Sequence, residues 1–252
     1  MNVFLLSGSF LKRNFFILFC SIYYTTTPSG NFSHHFNVNN SVVGLSTNNP
    51  NTNLNLEERF HCFEPLNTNA VYTITICADI PDNGNANRVH VGQQPGHVFL
   101  ILEKSDGVTP GQSKVQVFGF YPHNQHSSLL AGDISCKILD NSKREYNASL
   151  SKKVSSKQFQ LLLEKSENLA RRKYNLHRFN CYDYVLEVFN SLPGIEKLPI
   201  THVRLPYFLG RAGSPCGLYR DLKKLKANES EWAPYIQFGI FTAPESSRSS
   251  RN

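Results

Sequence analysis

The run His97-Val98-Phe99-Leu100-Ile101-Leu102-Glu103 constrains this chain more than any other segment. It is apolar on both faces, so a strand made from it must be covered on both sides and lie centrally in a sheet. Gly96 stands directly before it, where a glycine lets another backbone come close. Ala70–Ala78 is β-branched and aromatic and reads as a preceding strand. Val115–Tyr121 reads as a third, joined to His97–Glu103 in an antiparallel hairpin through the turn signals Asp106-Gly107 and Pro110-Gly111. Gly132–Leu139 is a candidate fourth strand.

The hydrophobic period then changes. Phe159, Leu162, Leu163 and Leu169 recur at helical spacing within Ser156–Lys173. Val185, Leu186, Val188 and Phe189 do the same within Tyr182–Ser191, which Pro193-Gly194 terminates. A short helix is expected over Tyr219–Lys226. Strands followed by helices indicate an α+β domain, an antiparallel sheet with helices packed on one side.

The expected boundaries follow composition. Residues 1–28 read as an export signal: Lys12 and Arg13 precede an apolar run over Phe15–Tyr24, too short to span a bilayer, which takes about 20 residues. Residues 29–56 are rich in Asn, Ser and Thr and read as a linker, 57–243 as the catalytic domain and 244–252 as a disordered tail. The net charge of +7 favours acidic partners such as cell-wall polymers or anionic membrane surfaces. The basic residues are dispersed, and no aromatic-interleaved basic stripe argues for nucleic acid. Six cysteines show no metal-ligand spacing, so neither a metal nor a cofactor is expected. Cys62, Cys77, Cys136 and Cys216 leave two readings open, up to two disulfides or buried free thiols.

Cys181 sits at an expected helix start after Asn180, a suitable N-cap. Backbone N–H groups and the helix dipole there stabilise a thiolate, so a lowered thiol pKa is expected. The same N–H groups can hold an oxyanion, with Asn180 assigned to the oxyanion and N-cap position. His97, opening the central strand, is the candidate base. A third group should orient its ring. The hairpin places Tyr121 and His123 nearest, ahead of His126, His90 and Asp183. Asp183 reads instead as an acid complementing the helix start.

The segments GHVFLILE, FGFYP and YNLHRFNCYDYVLEVFN, in this order, resemble the circularly permuted branch of the NlpC-type papain-like superfamily, in which the histidine strand precedes the cysteine helix. Lecithin:retinol acyltransferase shares that order. The closest likeness is to a group of uncharacterised bacterial secreted proteins with Gly-His-x-Phe, Gly-Phe-Tyr-Pro and Asn-Cys motifs and a later segment, here Ser214-Pro215-Cys216-Gly217-Leu218-Tyr219-Arg220-Asp221-Leu222. The resemblance spans roughly residues 70–225. It implies a permuted papain-like fold with Cys181 as nucleophile and His97 as base. It implies a secreted or envelope-associated cysteine hydrolase acting on a peptide or peptidoglycan-like amide. The acyltransferase group carries a second histidine shortly after the first. Its absence here weighs against lipid acyl transfer, and a binding module that kept the fold is the non-enzymatic alternative.

Overall fold

The computed structural model describes residues 53–89, 95–106, 113–124, 132–205 and 210–248. The signal-like segment, most of the linker, Cys20, His90, His126, Tyr207, Phe208 and the hairpin turn lie outside them. No described helix is long and apolar enough to cross a membrane.

Six strands form one antiparallel sheet, and its chain order differs from its spatial order. The strands are β1 (Val71–Asp79), β2 (His97–Ser105), β3 (Ser113–Pro122), β4 (Cys136–Asp140), β5 (Glu145–Val154) and β8 (Ile236–Thr242), lying in the order β4-β3-β2-β1-β5-β8. Thus β2 is central, as its two-sided apolar pattern requires. A small ribbon pairs β6 (His202–Arg204) with β7 (Arg211–Gly213). The helices are α1 (Leu56–Phe60), α2 (Ser156–Leu169), α3 (Cys181–Asn190) and α4 (Pro215–Ala227).

Strand alternation sorts side chains between two layers. Val98, Leu100 and Leu102 enter the main core with Phe159, Val185, Val188, Phe189 and Leu222 of the helices. Phe99 and Ile101 join Cys77, Val117 and Ala243 in a smaller cluster on the opposite face. The α+β architecture with an antiparallel sheet is therefore observed.

Several local expectations need correction. β5 and β8 are not among the expected strands: β5 reads EYNASLSKKV, too polar to show strand propensity, while β8 reads IQFGIFT, β-branched and aromatic but broken by Gly239. β5 still lies between β1 and β8, with Asn147 and Ser149 buried. α2 stops at Leu169, short of Lys173, because Tyr174 is drawn into a β-bridge with Ile134. α4 starts four residues early, at Pro215, because the Ser214 side chain accepts from the Gly217 N–H with proline in the first turn. Residues 53–55 are not free linker, since Leu54 N donates to Ile138 O at 2.9 Å. Nor is the tail loose over 244–248, where Ser246 and Ser247 bond to β3. Cys62, Cys77, Cys136 and Cys216 are all free thiols, so no disulfide joins the described cysteines.

Candidate active site

The candidate nucleophile is held at the first residue of a tightly capped helix. Asn180 Oδ1 accepts from Tyr182 N at 2.8 Å, and Asp183 Oδ2 accepts from Asn180 N at 3.0 Å, a reciprocal capping box. Asn180 Nδ2 donates to Leu176 O and Gly213 O, at 2.9 and 3.0 Å. Both its amide hydrogens are thus used in structure, which removes the oxyanion role expected of this side chain. Next to it, Tyr182 packs against Gly213, where an added Cβ would lie 2.1 Å from the ring.

Burial dominates the Cys181 thiol and pushes its pKa up to about 11, with Asp183 adding to the rise. The N–H groups of Val98 and Tyr182 and the Arg144 charge pull the other way and lose. Burial thus works against the lowered pKa expected from the helix start. A helix terminus is worth about 0.3–1 kcal/mol to a charge. Raising a thiol from 9.0 to about 11 corresponds to roughly 3 kcal/mol.

His97 is 3% exposed. Gly96, at φ 73°, makes its approach possible: a Cβ there would stand 2.2 Å from Asp79 O. The His97 ring stacks on Tyr121 with centroids 4.1 Å apart, and on Phe99 at 6.2 Å. Burial holds its pKa well below 6.5, and Arg144 lowers it further. An unfolded chain therefore takes up the proton first. The stability from burying a neutral His97 is complete above about pH 6.5 and is lost as pH falls through the interval below it. The melting temperature should drop between pH 7 and pH 5, and His97→Gln should flatten that drop. Parallel curves for the two proteins would assign the acid sensitivity elsewhere.

The two side chains approach from different sides of the sheet. His97 shares the face of Phe99, away from the helices, while Cys181 packs against the helix-side core. Between them the β2–β3 hairpin opens. β2 and β3 are paired from Ser105–Ser113 to Leu100–Phe118. Past that point β2 is held by β1, through Asp79–His97, and β3 by β4. In this fork the Val98 N–H meets the Cys181 sulfur, so the peptide following His97 lies against the thiol.

The residue facing the imidazole is one the sequence did not single out. A Cβ built on Gly119 would lie 2.2 Å from His97 Nε2 and 2.5 Å from Asn141 Oδ1. Both atoms are buried without a hydrogen-bond partner, and they converge over the one spot that glycine leaves empty. Tyr121 does not bond the ring. Its hydroxyl accepts from Asn141 Nδ2 at 2.6 Å and from Arg144 Nη1 at 3.3 Å. Arg144 in turn donates through Nε and Nη2 to Asp79 Oδ2, at 2.9 and 2.6 Å. His123 is exposed past the end of β3, its backbone N–H bonded to Ser135 O, and among the described residues no contact ties its ring to His97.

What the arrangement can do follows from donors and acceptors. If Asn141 Oδ1 receives the Nε2 hydrogen, Nδ1 carries the lone pair and can act as a base. The described residues contain no cluster of His, Cys, Asp and Glu suited to a metal ion. No family model, curated protein or solved structure matches this chain.

Proposed function

We propose that this domain is a cysteine-dependent hydrolase of amide bonds, exported or envelope-associated, acting on peptide or peptidoglycan-like substrates through a permuted papain-like site. One observation carries the reading: Cys181 opens the capped helix α3 packed on the helix side of the sheet, and the central strand β2 opens on a buried His97 whose Nε2 faces Asn141 Oδ1 across Gly119. Both partners are neutral at pH 7, because burial raises the thiol and lowers the imidazole. The pair therefore works by general-base transfer rather than as a standing ion pair.

In this reading the amide carbonyl is presented to Cys181 at the start of α3. His97 Nδ1 takes the Cys181 proton as sulfur bonds to the carbonyl carbon. The oxyanion lies at the Cys181 N–H, because Tyr182 N and Asp183 N are held by the Asn180 side chain and Tyr184 N by Asn180 O. The imidazolium returns its proton to the leaving amine, the C–N bond breaks, and a thioester remains. Water, deprotonated by His97, then attacks the thioester and releases the acid and the thiol. The substrate class rests on the resemblance and the export-like N-terminus alone. Lipid acyl transfer would call for a cleft rimmed by apolar side chains such as Phe120, Tyr207 and Phe208. Phe120 is instead fully buried among Tyr174, Phe179 and Tyr184.

A second reading has its own support: a thiol at about 11 suits an inert binding module. Iodoacetamide labelling of Cys181 against pH separates the two. The hydrolase reading expects a labelling plateau well below pH 11 that His97→Asn removes. It also expects Cys181→Ala to lower turnover of a cell-wall peptide by at least about 10⁴-fold. Superimposable labelling curves, rising towards pH 11 with or without His97, would leave the binding module standing.

A further inference from the structure

We propose that the C-terminal segment Ala243–Ser247 is a brace that positions the His97 site, with Ser246 as its positioning residue. The inference rests on the reading of His97 as a base.

The turn Asp140–Arg144 delivers two residues to the site. Asn141 faces His97 Nε2 over Gly119, and Arg144 ties Asp79 to the Tyr121 hydroxyl. The turn does not have a relaxed backbone, since Lys143 has φ 63°, an uncommon conformation for a residue with a side chain. Its own sequence supplies no glycine to ease it. The C-terminal segment holds it from outside.

Two backbone bonds clasp the turn itself. Lys143 N donates to Ala243 O at 3.1 Å, and Ala243 N donates to Arg144 O at 2.8 Å. Ser246 N donates to Ser142 Oγ at 2.8 Å, and Ser142 Oγ also bonds Asp140 Oδ1. The Ser246 hydroxyl closes the circuit. It accepts from Val117 N at 3.0 Å and donates to Asp140 Oδ1 at 3.2 Å. Val117 O, on the same residue of β3, accepts from Asn141 N at 3.0 Å. Ser246 and Asn141 are thus fixed to the two ends of one β3 residue, two positions before Gly119. Ser247 continues the attachment, with Ser247 N donating to Val115 O at 2.7 Å. Ala243, buried at 2% exposure, packs in the apolar layer of Phe99 and Val117, and Phe99 stacks on His97. The exposed Lys143–Glu245 ion pair adds little.

His97 Nε2 and Asn141 Oδ1 are both without a hydrogen-bond partner, and fixing Asn141 keeps a carbonyl oxygen facing Nε2 across Gly119, which favours hydrogen on that nitrogen. The test uses the full chain with ¹⁵N-labelled histidine. Wild type should show His97 as the Nε2–H tautomer. Ser246→Ala should mix the tautomers and slow Cys181 labelling at pH 7 about five- to tenfold, the size of one lost positioning hydrogen bond. Ser246→Thr, which keeps the hydroxyl, should restore both. If Ser246→Ala does not fold, Ser142→Ala opens the same circuit from the turn side and is read in its place. An unchanged His97 tautomer in whichever variant folds would overturn the brace. A tautomer that responds to Ser246 while Cys181 labelling ignores His97 would keep the brace and sink the hydrolase reading instead.

Discussion

Gly119→Ala is expected to silence Cys181-dependent turnover by at least about 100-fold while the sheet stays folded. The added methyl would sit 2.2 Å from His97 Nε2 and 2.5 Å from Asn141 Oδ1, closer than packed atoms ever approach. Neither neighbour is a flexible tip. The His97 ring is clasped between Tyr121 and Phe99, and Asn141 is tied to the Tyr121 hydroxyl. The strain is relieved by pushing the imidazole off Asn141 or by opening the β2–β3 fork further. Overpacking of this kind costs about 1–3 kcal/mol, within what a domain of this size tolerates. Turnover of a cell-wall peptide and a denaturant titration on the same sample give both numbers. Wild-type turnover in the alanine variant would show that the placement of His97 against Asn141 is not needed.

Phe120→Ala, one residue along the same strand, should do the reverse and act first on stability. Phe120 points to the helix side, fully buried, with ring centroids 5.1 Å from Tyr184, 5.3 Å from Phe179 and 5.7 Å from Tyr174. Truncating such a ring costs about 3–5 kcal/mol from lost burial and the cavity left behind. That is a large share of the roughly 5–15 kcal/mol that holds a domain together. Tyr184 and Phe179 flank Cys181, so the same change should loosen the start of α3 and speed alkylation of the partly buried thiol. A loss below about 1 kcal/mol would mean the site collapses around the gap. The two neighbours differ because strand alternation sends one to each face of the sheet.

Much of this architecture is legible from local pattern. The two-sided apolar run of β2 requires a central strand, and the helix start at Cys181 follows from Asn180 and the apolar stripe behind it. β5 is not legible, because its burial depends on partners rather than on apolar content. Asn147 is accommodated by bonds to Ile80 N and Asn83 Oδ1, contacts more than 60 residues apart in sequence. Asn141 is equally silent. It matters only because Gly119, 22 residues earlier, leaves a gap opposite His97.

By itself, then, the sequence determined the order of elements, a histidine strand before a cysteine helix, and the residues that open each. Hydrophobic period and capping are properties of neighbours along the chain, and they need no third dimension. The tertiary structure decided the rest. It took Cys181 largely out of water, which raises the thiol pKa where a helix start alone would lower it. It put His97 on the face away from the helices and Cys181 on the helix side. It selected Asn141, rather than Tyr121 or His123, to face the imidazole. Each of these depends on how much water a group loses and which distant atoms replace it, and only the packed chain fixes that.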